Sequence, residues 1–491
     1  MRGKAGKILL CSLLVSLLLT AAVTAVNPQD TLNSRVKIEG PNINFDLILD
    51  GDGITRIDFE SDCSFTLNCP EEIGGIYVEF AAIPAVWTLD TNAGPVSCGA
   101  HGYLHEYVPV SGGNAVTLNL KAPTQVCDVF VLPAGKVPDW VQQWEEPWDK
   151  ADVLVLPTHS DDDQLYFGGL IPWCLDKGAR VQVAYLIEHF GYGDRMNELL
   201  DGLWTCGLRN YPVLGDYRDL GNISYLETLS MYNNNCIYWE DFEGRQVELF
   251  RRFQPQVVVT HALNGEYGHG AHILHEMVSV AAAKLSGDES KYPESAELYG
   301  AWDVPKVYVH NYSEGKVKLD FDSPLDYFGG SSAISMSRLA FQEHKSQYNF
   351  YSWWLNSKPL SADIVNYNPC EYGLYRSTVG EDTHTDTLFD NIVLYDEQAR
   401  LALEAEEARK AEEAAQEEAR LEAEEQASLE AEEEARRAEE TAFLAQEEAY
   451  RMERNRLILL FCGAMAAALI SAAVLIKNTK KLRKERMNEK E

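Results

Sequence analysis

Basic residues are scarce in this chain of 491 residues, because 42 Lys and Arg stand against 76 Asp and Glu and give a formal net charge of −34. A surface of that sign repels phosphate backbones, so nucleic acid is excluded as a predicted partner. Only the C-terminal stretch, residues 477–491, is clearly basic. The length allows two or three domains with a large core.

Cysteine is also sparse, and none of the ten residues forms the Cys-x-x-Cys spacing of a metal or redox site. Cys11 and Cys462 lie in apolar runs near the two ends of the chain. The remaining eight are Cys63, Cys69, Cys98, Cys127, Cys174, Cys206, Cys236 and Cys370. An even set in an exported chain favours disulfide bonds in an oxidising compartment. The pairing stays open, as does the alternative that some of them are buried thiols.

Charge is missing from two long runs. The first follows three basic residues at the N-terminus and ends in small residues, which predicts a signal peptide over residues 1–25, cleaved after Ala25. The second, residues 457–476, would span about 30 Å as a helix, enough to cross a bilayer. The basic tail behind it is expected in the cytoplasm, with all preceding domains outside. We therefore expect a single-pass protein of the plasma membrane. A buried soluble helix is the alternative reading of the second run.

Glycine and proline are absent from residues 396–456, which consist mostly of Glu, Ala and Arg. Alanines recur there at an average spacing of about 3.6 residues, nearer a straight helix than the 3.5 of a left-handed coiled coil. We predict a helical stalk of roughly 90 Å at 1.5 Å per residue. Self-association of the stalk, as in a coiled coil, is left open, and disorder is the alternative for so polar a segment.

Residues 27–132 have the pattern of an all-β sandwich. Short alternating runs such as "GGIYVEF" and "VCDVFVL" are separated by Gly, Pro, Asn and Asp. The aromatic residues of "AVWTLD" and "HGYLHEY" would stack on sugar rings if exposed, so this domain is a candidate for carbohydrate binding. The alternative is that they belong to the core. Residues 133–150, rich in Pro and Trp, are expected to be a linker.

The period of the pattern changes at about residue 151. The runs "DVLVLP", "RVQVAYLIEH" and "QVVVTH" are predicted strands, and helices are predicted from Gln164 to Lys177 and from Arg195 to Cys206. Strands that alternate with helices predict a doubly wound α/β domain with a parallel sheet, here over residues 151–395. Ligand sites in such domains lie at the carboxyl ends of the strands.

Two of these strand ends carry groups that suit a metal ion. "THSDDD" follows the first strand, and His261 followed by "ALNGEYGHGAH" ends the third. Because parallel strands end at one edge of the sheet, the two segments should meet there. Histidine and aspartate together suit a divalent ion such as zinc with an open position for water. A solvated acidic turn at a helix start is the alternative explanation of the aspartates.

These two segments also carry a resemblance. "THSDDD" resembles the His-Pro-Asp-Asp-Glu motif of the PIG-L, or LmbE-like, family of N-acetylglucosaminyl-phosphatidylinositol de-N-acetylases, and "GEYGHGAH" resembles its second, His-x-x-His motif. The likeness extends over about residues 150–350, where "AFQEHKSQY" matches a later segment without an assigned role. It implies a Rossmann-like fold and a zinc-dependent removal of N-acetyl groups from glucosamine-containing compounds.

The resemblance also assigns roles by motif position. The implied ligands of Zn²⁺, or of another divalent metal, are His159, Asp162 and His272. Asp161 would be the general base. His269 would protonate the leaving amine or support the oxyanion, and Tyr267 would help to hold that oxyanion. Arg195 falls where the family often has an arginine that contacts the substrate.

Four positions depart from the family pattern. Ser160 replaces the usual Pro, and Asp163 replaces the usual Glu. Gly270 and Ala271 replace the Pro-Asp pair inside the second motif. None of these changes removes an implied ligand or the implied base, but residue 271 offers no carboxylate that could orient a histidine.

The expected function is therefore that of a zinc-dependent hydrolase on the outer surface of a cell. It would remove the N-acetyl group from an N-acetylglucosamine-type sugar or glycoconjugate and release acetate. One alternative is a surface glycan-binding protein or adhesin with an inactive α/β domain. Another is a metal-dependent amidase that acts on a non-sugar substrate.

Overall fold

The computed structural model describes residues 30–60, 62–190, 194–221 and 224–488. The signal peptide expected over residues 1–25 lies outside the described residues. The chain divides into two compact units, residues 1–398 and residues 399–491.

The structure is mixed α/β. The first nine strands are β1 (Lys37–Glu39), β2 (Ile57–Phe59), β3 (Cys63–Asn68), β4 (Ile73–Phe80), β5 (Trp87–Thr91), β6 (Gly94–Cys98), β7 (His105–Pro109), β8 (Ala115–Leu120) and β9 (Thr124–Pro133). The later strands are β10 (Val153–Val155), β11 (Val181–Val183), β12 (Ile187–Glu188), β13 (Tyr217–Arg218), β14 (Val257–Thr260), β15 (Lys306–His310), β16 (Lys316–Lys318) and β17 (Glu371–Ser377). The helices are α1 (Asp162–Leu165), α2 (Leu170–Asp176), α3 (Arg195–Thr205), α4 (Tyr225–Asn234), α5 (Trp239–Phe253), α6 (Gly265–Gly268), α7 (Gly270–Leu285), α8 (Pro293–Tyr299), α9 (Ala333–Glu343), α10 (Lys345–Leu355) and α11 (Tyr395–Asn488).

Strands β1 to β9 form two antiparallel sheets, in the orders β1-β3-β8-β5-β6 and β2-β9-β4-β7. Alternation in the sequence explains which face of each strand is buried. In β8 every second residue, Val116, Leu118 and Leu120, is buried, and the residues between them are half-buried. Buried residues of both sheets belong to one hydrophobic cluster. We call residues 30–133 the β region.

Among the aromatic residues proposed for sugar stacking, Trp87 is buried and Tyr103 and Tyr107 are half-buried. Trp87 is 1 % exposed, packs edge-on against Phe80, and donates from Nε1 to Glu106 at 2.9 Å. Tyr103 stacks on Tyr211 of residues 151–395, here called the α/β region, with ring centroids 4.1 Å apart. Rings of this size contribute most to stability when they are buried. Trp87 is therefore a core residue, as the alternative expected, whereas carbohydrate binding by the other aromatic residues stays a prediction.

The segment expected to be a linker is packed. The Trp140 ring lies edge-on against Tyr77 and Phe130 of the β region. Trp144 contacts Trp204 of α3 in the same way. Residues 133–150 therefore join the β region to the α/β region through buried aromatic contacts, and both regions belong to the same compact unit.

The α/β region contains a six-stranded sheet in the order β11-β10-β14-β15-β17-β16. Its first four strands are parallel, as predicted. Strand β17 pairs antiparallel with β15 on one side and with β16 on the other. Both faces of the sheet are covered, because Val153 and Val155 belong to one hydrophobic cluster and Leu154 to another. The carboxyl ends of β10, β14 and β15 therefore share one edge.

Two predicted elements are divided in the structure. The run "RVQVAYLIEH" forms β11 and β12, and β12 pairs with β13 outside the main sheet. The helix expected from Gln164 to Lys177 is broken into α1 and α2. Gly169 has φ of +98° at the break, and a Cβ there would lie 2.7 Å from the Phe321 ring. The helix expected from Arg195 to Cys206 is confirmed as α3.

None of the described cysteines forms a disulfide bond, so that prediction is wrong for the part of the chain that the structure describes. Cys174 and Cys206 are fully buried, and burial raises the pKa of both thiols. Cys206 Sγ lies 3.3 Å from Gln164 Oε1. These residues act as small core side chains. An even number of cysteines in the sequence does not distinguish this role from disulfide pairing.

The described residues of the second unit, 399–488, are helical throughout as the main part of α11. Its stalk segment is exposed and carries ion pairs one turn apart, such as Arg409 with Glu413 at 2.6 Å. By length and composition, α11 includes a stretch apolar enough to cross a membrane.

Candidate metal centre and active site

Histidines stand at or just after the carboxyl ends of four strands in the α/β region. His159 follows β10, His189 follows β12, His261 follows β14, and His310 is the last residue of β15. All four are buried. Since β10, β14 and β15 are parallel neighbours, their ends converge at the edge where such folds bind ligands.

The three implied metal ligands lie together at this edge. His159 Nδ1 is 3.1 Å from Asp162 Oδ2 and 3.0 Å from His272 Nε2, and the last two atoms are 3.1 Å apart. A tetrahedral zinc site with bonds of about 2.0–2.1 Å has ligand atoms roughly 3.3 Å apart. Three electron-rich atoms at this spacing need positive charge between them. The donor set therefore fits Zn²⁺ or another divalent ion.

Electrostatics at the centre agree with that fit. Burial raises the pKa of Asp162, but the charges of His272 and His159 outweigh it and hold the pKa well below its usual range. Burial lowers the pKa of His272, but Asp162 and Glu266 raise it to about 10. The centre therefore favours a bound proton in the place where a divalent ion would lie, and metal binding should release that proton.

One buried carboxylate, that of Glu266, holds three of the histidines. It accepts from His272 Nδ1 at 2.8 Å, from His261 Nδ1 at 3.1 Å and from His310 Nδ1 at 2.9 Å. Because a carboxylate can only accept, His272 carries a proton on Nδ1, and its Nε2 faces Asp162 and His159. Glu266 thereby provides the orienting carboxylate that residue 271 lacks.

Backbone strain places the Glu266 carboxylate in this position. Glu266 has φ of +59°, between Gly265 at +62° and Gly268 at +92°. A left-handed conformation of a residue other than glycine costs about 1–3 kcal/mol and is typical of functional sites. Sequence reasoning missed Glu266. The available signal was an acidic residue beside glycines in the loop that follows a buried strand.

The implied base and the implied substrate arginine form an ion pair. Arg195 Nη2 donates to Asp161 Oδ1 at 2.9 Å, and Arg195 Nη1 lies 3.3 Å from His189 Nε2. Burial raises the pKa of Asp161, and the charge of Arg195 offsets only part of that effect. A carboxylate with a raised pKa accepts a proton more readily. The structure thus brings Arg195 to Asp161 as well as to the cavity wall.

His269 and Tyr267 lie beside the implied ligands. One nitrogen of His269 is within 4.8 Å of nitrogens of His159 and His272. Burial and the charges of His272 and His159 lower the pKa of His269 to about 3. Its Nδ1 accepts from the Ala271 N–H, so the neutral ring has its proton on Nε2 and can donate one hydrogen bond. Burial raises the pKa of Tyr267, which keeps its hydroxyl protonated.

A cavity of about 110 Å³, here called the metal cavity, opens onto these groups. The predicted residues that line it are His159, Asp161, Asp162, Arg195, Tyr267 and His269. The lining residues without a predicted role are Leu165, Tyr166, Asp219, Gln347, Tyr351 and Trp354. Gln347 comes from "AFQEHKSQY". Asp219 lies 3.6 Å from His189 Nε2, and no spacing in the sequence relates these two residues.

Two neighbouring residues of the right type do not join the ligand set. A grouping of Asp162, His261 and His272 is also compact, but His261 Nε2 already accepts from the Thr158 N–H at 3.0 Å. Asp163 is buried, and burial raises its pKa well above its usual range. Its carboxyl accepts from Gln164 Nε2. The three consecutive aspartates therefore have three separate environments.

Comparisons with known proteins agree with this geometry. The family model described as "PIG-L: GlcNAc-PI de-N-acetylase" matches residues 154–285. A 1D-myo-inositol 2-acetamido-2-deoxy-alpha-D-glucopyranoside deacetylase of Geodermatophilus obscurus is 28% identical over 181 residues, 32% of this chain and 60% of that protein. Its counterpart in Streptomyces avermitilis is 30% identical over 152 residues, 28% of this chain and 49% of that protein. The chain thus spans about half to three fifths of the length of these relatives.

Among solved structures, the N,N'-diacetylchitobiose deacetylase from Pyrococcus horikoshii is similar to 51% of this chain and to 92% of its own, with 13% sequence identity and a TM-score of 0.34. A likeness of that degree says nothing about activity. The family match contains the ligand triangle, the Asp161–Arg195 pair and the Glu266 carboxylate. Residues 154–285 of this chain are therefore a PIG-L family domain.

Proposed function

We propose that the protein is a metal-dependent N-deacetylase that hydrolyses the acetamide of an N-acetylglucosamine-type sugar and releases acetate. The observation that carries the proposal is the triangle of His159 Nδ1, Asp162 Oδ2 and His272 Nε2, with sides of 3.0–3.1 Å, beside the buried Asp161. The relatives with the same domain are named as deacetylases of an acetamido sugar, which supports this choice of bond.

The proposed metal ligands are His159, Asp162 and His272, and zinc suits their mixture of imidazole and carboxylate. When bound, a divalent ion supplies a Lewis acid that polarises the carbonyl and makes water more acidic. Glu266 fixes the ring orientation of His272 through the 2.8 Å hydrogen bond to Nδ1. It is proposed as a positioning residue because it contacts the ligands and not the metal cavity.

The proton transfers are assigned to Asp161. It takes a proton from the attacking water, the hydroxide oxygen bonds to the carbonyl carbon, and the C–N bond then breaks as the amine leaves with that proton. Arg195 keeps the Asp161 carboxylate oriented throughout through the 2.9 Å ion pair. Asp161 is chosen for both transfers because the pKa of His269 is lowered to about 3, so its ring is neutral and does not act as the acid that protonates the amine.

His269 and Tyr267 are proposed to stabilise the oxyanion. Each has a proton that it can donate, the first from Nε2 and the second from its hydroxyl. Hydrogen bonds directed at the developing oxygen charge are stronger in a partly enclosed cavity than in water. Both residues line the metal cavity, as does Arg195, for which contact with the substrate remains part of the proposal.

The proposal extends to the organisation of the whole chain. Residues 151–395 would form a Rossmann-like catalytic domain and residues 27–132 a β-sandwich, with residues 133–150 between them. A signal peptide over residues 1–25, the stalk at 396–456, the membrane span at 457–476 and the cytoplasmic tail at 477–491 would hold these domains outside the plasma membrane. The acidic surface fits a partner other than nucleic acid.

The test is acetate release by the full-length protein in detergent, measured on a panel of N-acetylated glycans and non-sugar acetamides with and without a chelator. We expect release from N-acetylglucosamine compounds, its loss with chelator and its return with added Zn²⁺. Asp163→Asn is the matched control, because burial raises the pKa of Asp163 well above its usual range, which disfavours its charged form, and Asp163 is not among the residues that line the metal cavity. Glycan binding without acetate release would favour the adhesin. Release from non-sugar acetamides alone would favour the amidase.

A further inference from the structure

A second cavity, of about 150 Å³, lies between the β region and α3 and is here called the acidic cleft. Five carboxylates line it: Asp52, Glu79, Asp194, Asp201 and Glu343. Among the described residues in its wall, the single cation is Lys345. Phe130, Trp140 and Trp204 add aromatic surface.

Two polar side chains that line the acidic cleft have no hydrogen-bond partner among the described residues, whereas Asp201 accepts from Gln142 and Asp52 from Thr55. Glu79 is only 8% exposed, and its carboxylate has no hydrogen bond or ion pair to any described residue. The Thr205 hydroxyl, in a residue 2% exposed, also lacks a hydrogen-bond partner. A buried polar atom without a partner costs about 1–3 kcal/mol, and more when it is charged. Both side chains therefore point to a ligand that supplies hydrogen-bond partners, and five carboxylates beside one lysine favour a ligand that is also positively charged.

The spacing of these carboxylates excludes a single metal ion. Among the described residues, the groups of His, Cys, Asp or Glu compact enough to hold an ion lie at the metal cavity and not here. The positive ligand must therefore be larger than an ion and present several separated donors. Trp140 and Trp204 are each 6% exposed, so they form part of the cleft wall, and recognition is left to the carboxylates.

The acidic cleft and the metal cavity share their walls. On α3, Arg195 lines the metal cavity, whereas Asp201 lines the acidic cleft. On α10, Gln347 lines the metal cavity, and Lys345, two residues earlier, lines the acidic cleft. Between them the Ser346 hydroxyl and N–H donate to Glu198 at 2.6 and 2.7 Å, which fixes α10 on α3.

We infer that the acidic cleft binds the free amino-sugar units of an oligomeric substrate, on the basis of the proposed deacetylation at the metal cavity. Deacetylation turns a neutral acetamide into an amine that is protonated at neutral pH. Carboxylates with few counter-charges would then attract units already processed and disfavour acetylated ones. A chain with one unit in the acidic cleft would present a neighbouring acetylated unit to the metal cavity.

The test is calorimetric binding of a glucosamine tetramer to the full-length protein in detergent, with an N-acetylglucosamine tetramer and tetralysine as comparison ligands. We expect the glucosamine tetramer to bind at least tenfold more tightly than either. The double variant Glu79→Gln/Asp201→Asn should lose at least tenfold in affinity for it. A matched double variant with the same charge change on exposed residues, Glu39→Gln/Asp149→Asn, should bind like the parent protein.

A second variant keeps the inference testable if the buried pair proves necessary for folding. Lys345 is exposed and opposes the carboxylates, so Lys345→Gln should tighten glucosamine-tetramer binding severalfold. Equal binding of the three ligands, or unchanged binding in both the double variant and Lys345→Gln, would overturn the inference. Acetate release is measured on the same preparations. Release without selective glucosamine binding removes only this inference, whereas selective binding without release removes the proposed function.

Discussion

The metal cavity and the acidic cleft lie against the same helix, α3, and two carboxylates at each place have pKa values shifted in opposite directions. In and below the metal cavity, Asp162 and Glu266 are surrounded by histidines, and those contacts hold both pKa values well below the usual range despite burial. In the acidic cleft, burial raises the pKa of Asp201 to about 6 and that of Glu343 to about 7, and Lys345 offsets only part of it. Burial is common to both places, so the difference comes from the partners.

The comparison indicates which kind of ligand each cavity suits. Where the chain supplies its own donors in a tight arrangement, the carboxylates are positioned to share one small ion. In the acidic cleft Glu79 has no such donor, and repulsion between Glu79 and Asp201 favours a ligand that brings donors from outside the chain.

The largest effect is expected from Asp162→Asn. The amide keeps the size of the side chain but removes the negative charge that His159 and His272 share. We expect the variant to lose tight metal binding and, with it, acetate release to below detection. Metal content after gel filtration and acetate release check this on one preparation. A variant that retains one ion per chain would remove Asp162 from the ligand set.

The next effect is expected from Asp161→Asn, which should keep the metal and lose turnover. General base catalysis contributes about 10²–10⁴-fold, so the fall in kcat should lie in that range. Asp163→Asn, in the neighbouring position, should keep both properties. The measurement is kcat together with metal content. Full activity in Asp161→Asn would show that another group accepts the proton.

A smaller effect is expected from Glu266→Gln. Groups that orient metal-bound histidines typically contribute about 10–100-fold to metal affinity, and that loss is expected here. Glu276→Gln is a matched control, because Glu276 is equally buried on α7, the helix that carries His272, and none of its described contacts is to a histidine. Competition with a metal indicator gives both affinities. Equal losses in the two variants would mean that Glu266 acts only through general stability.

The smallest effect concerns stability and pH in the acidic cleft. Burial and repulsion from Asp201 raise the pKa of Glu79 well above its usual value, and burial raises that of Asp201 to about 6. Because these pKa values are higher in the folded protein than in the unfolded chain, the folded protein binds more protons. The stability that the two groups contribute is therefore present below the pKa values of the unfolded chain. It is lost as the pH rises through the pKa values of the folded protein.

Glu79→Gln/Asp201→Asn should therefore unfold at the same temperature as the parent protein at pH 4 and a few degrees higher at pH 8. Thermal unfolding of the full-length protein in detergent across this range is the measurement, with Glu39→Gln/Asp149→Asn as the control. Parallel pH profiles in all three proteins would contradict the repulsion assigned to the acidic cleft.

The sequence allowed more of the metal cavity to be predicted than of the acidic cleft, for a physical reason. His159 and His261 follow buried parallel strands, and the geometry of such a sheet brings strand ends together whatever the loops do. Glu79 and Asp201 come together where the β region packs against α3, through contacts such as His105 with Asn197 and Trp144 with Trp204. No periodicity encodes that docking, and residues 133–150 were expected to be a linker.

Other features escaped prediction because they depend on tertiary contacts. His189 ends a predicted strand and could have been found by the reasoning that found His261. Glu266 depends on a left-handed residue that only the folded loop specifies. The free state of the buried cysteines follows from where their side chains point, which the number of cysteines does not determine.

The most direct test of the central claim is Zn²⁺ binding by the full-length protein, followed by zinc X-ray absorption. We expect one ion per chain, with nitrogen and oxygen ligands at about 2.0–2.1 Å. We also expect that His272→Ala abolishes this site while His275→Ala, one turn further along α7, leaves the ligand shell unchanged. A parent protein that binds no ion, or a site that survives His272→Ala intact, would contradict the claim.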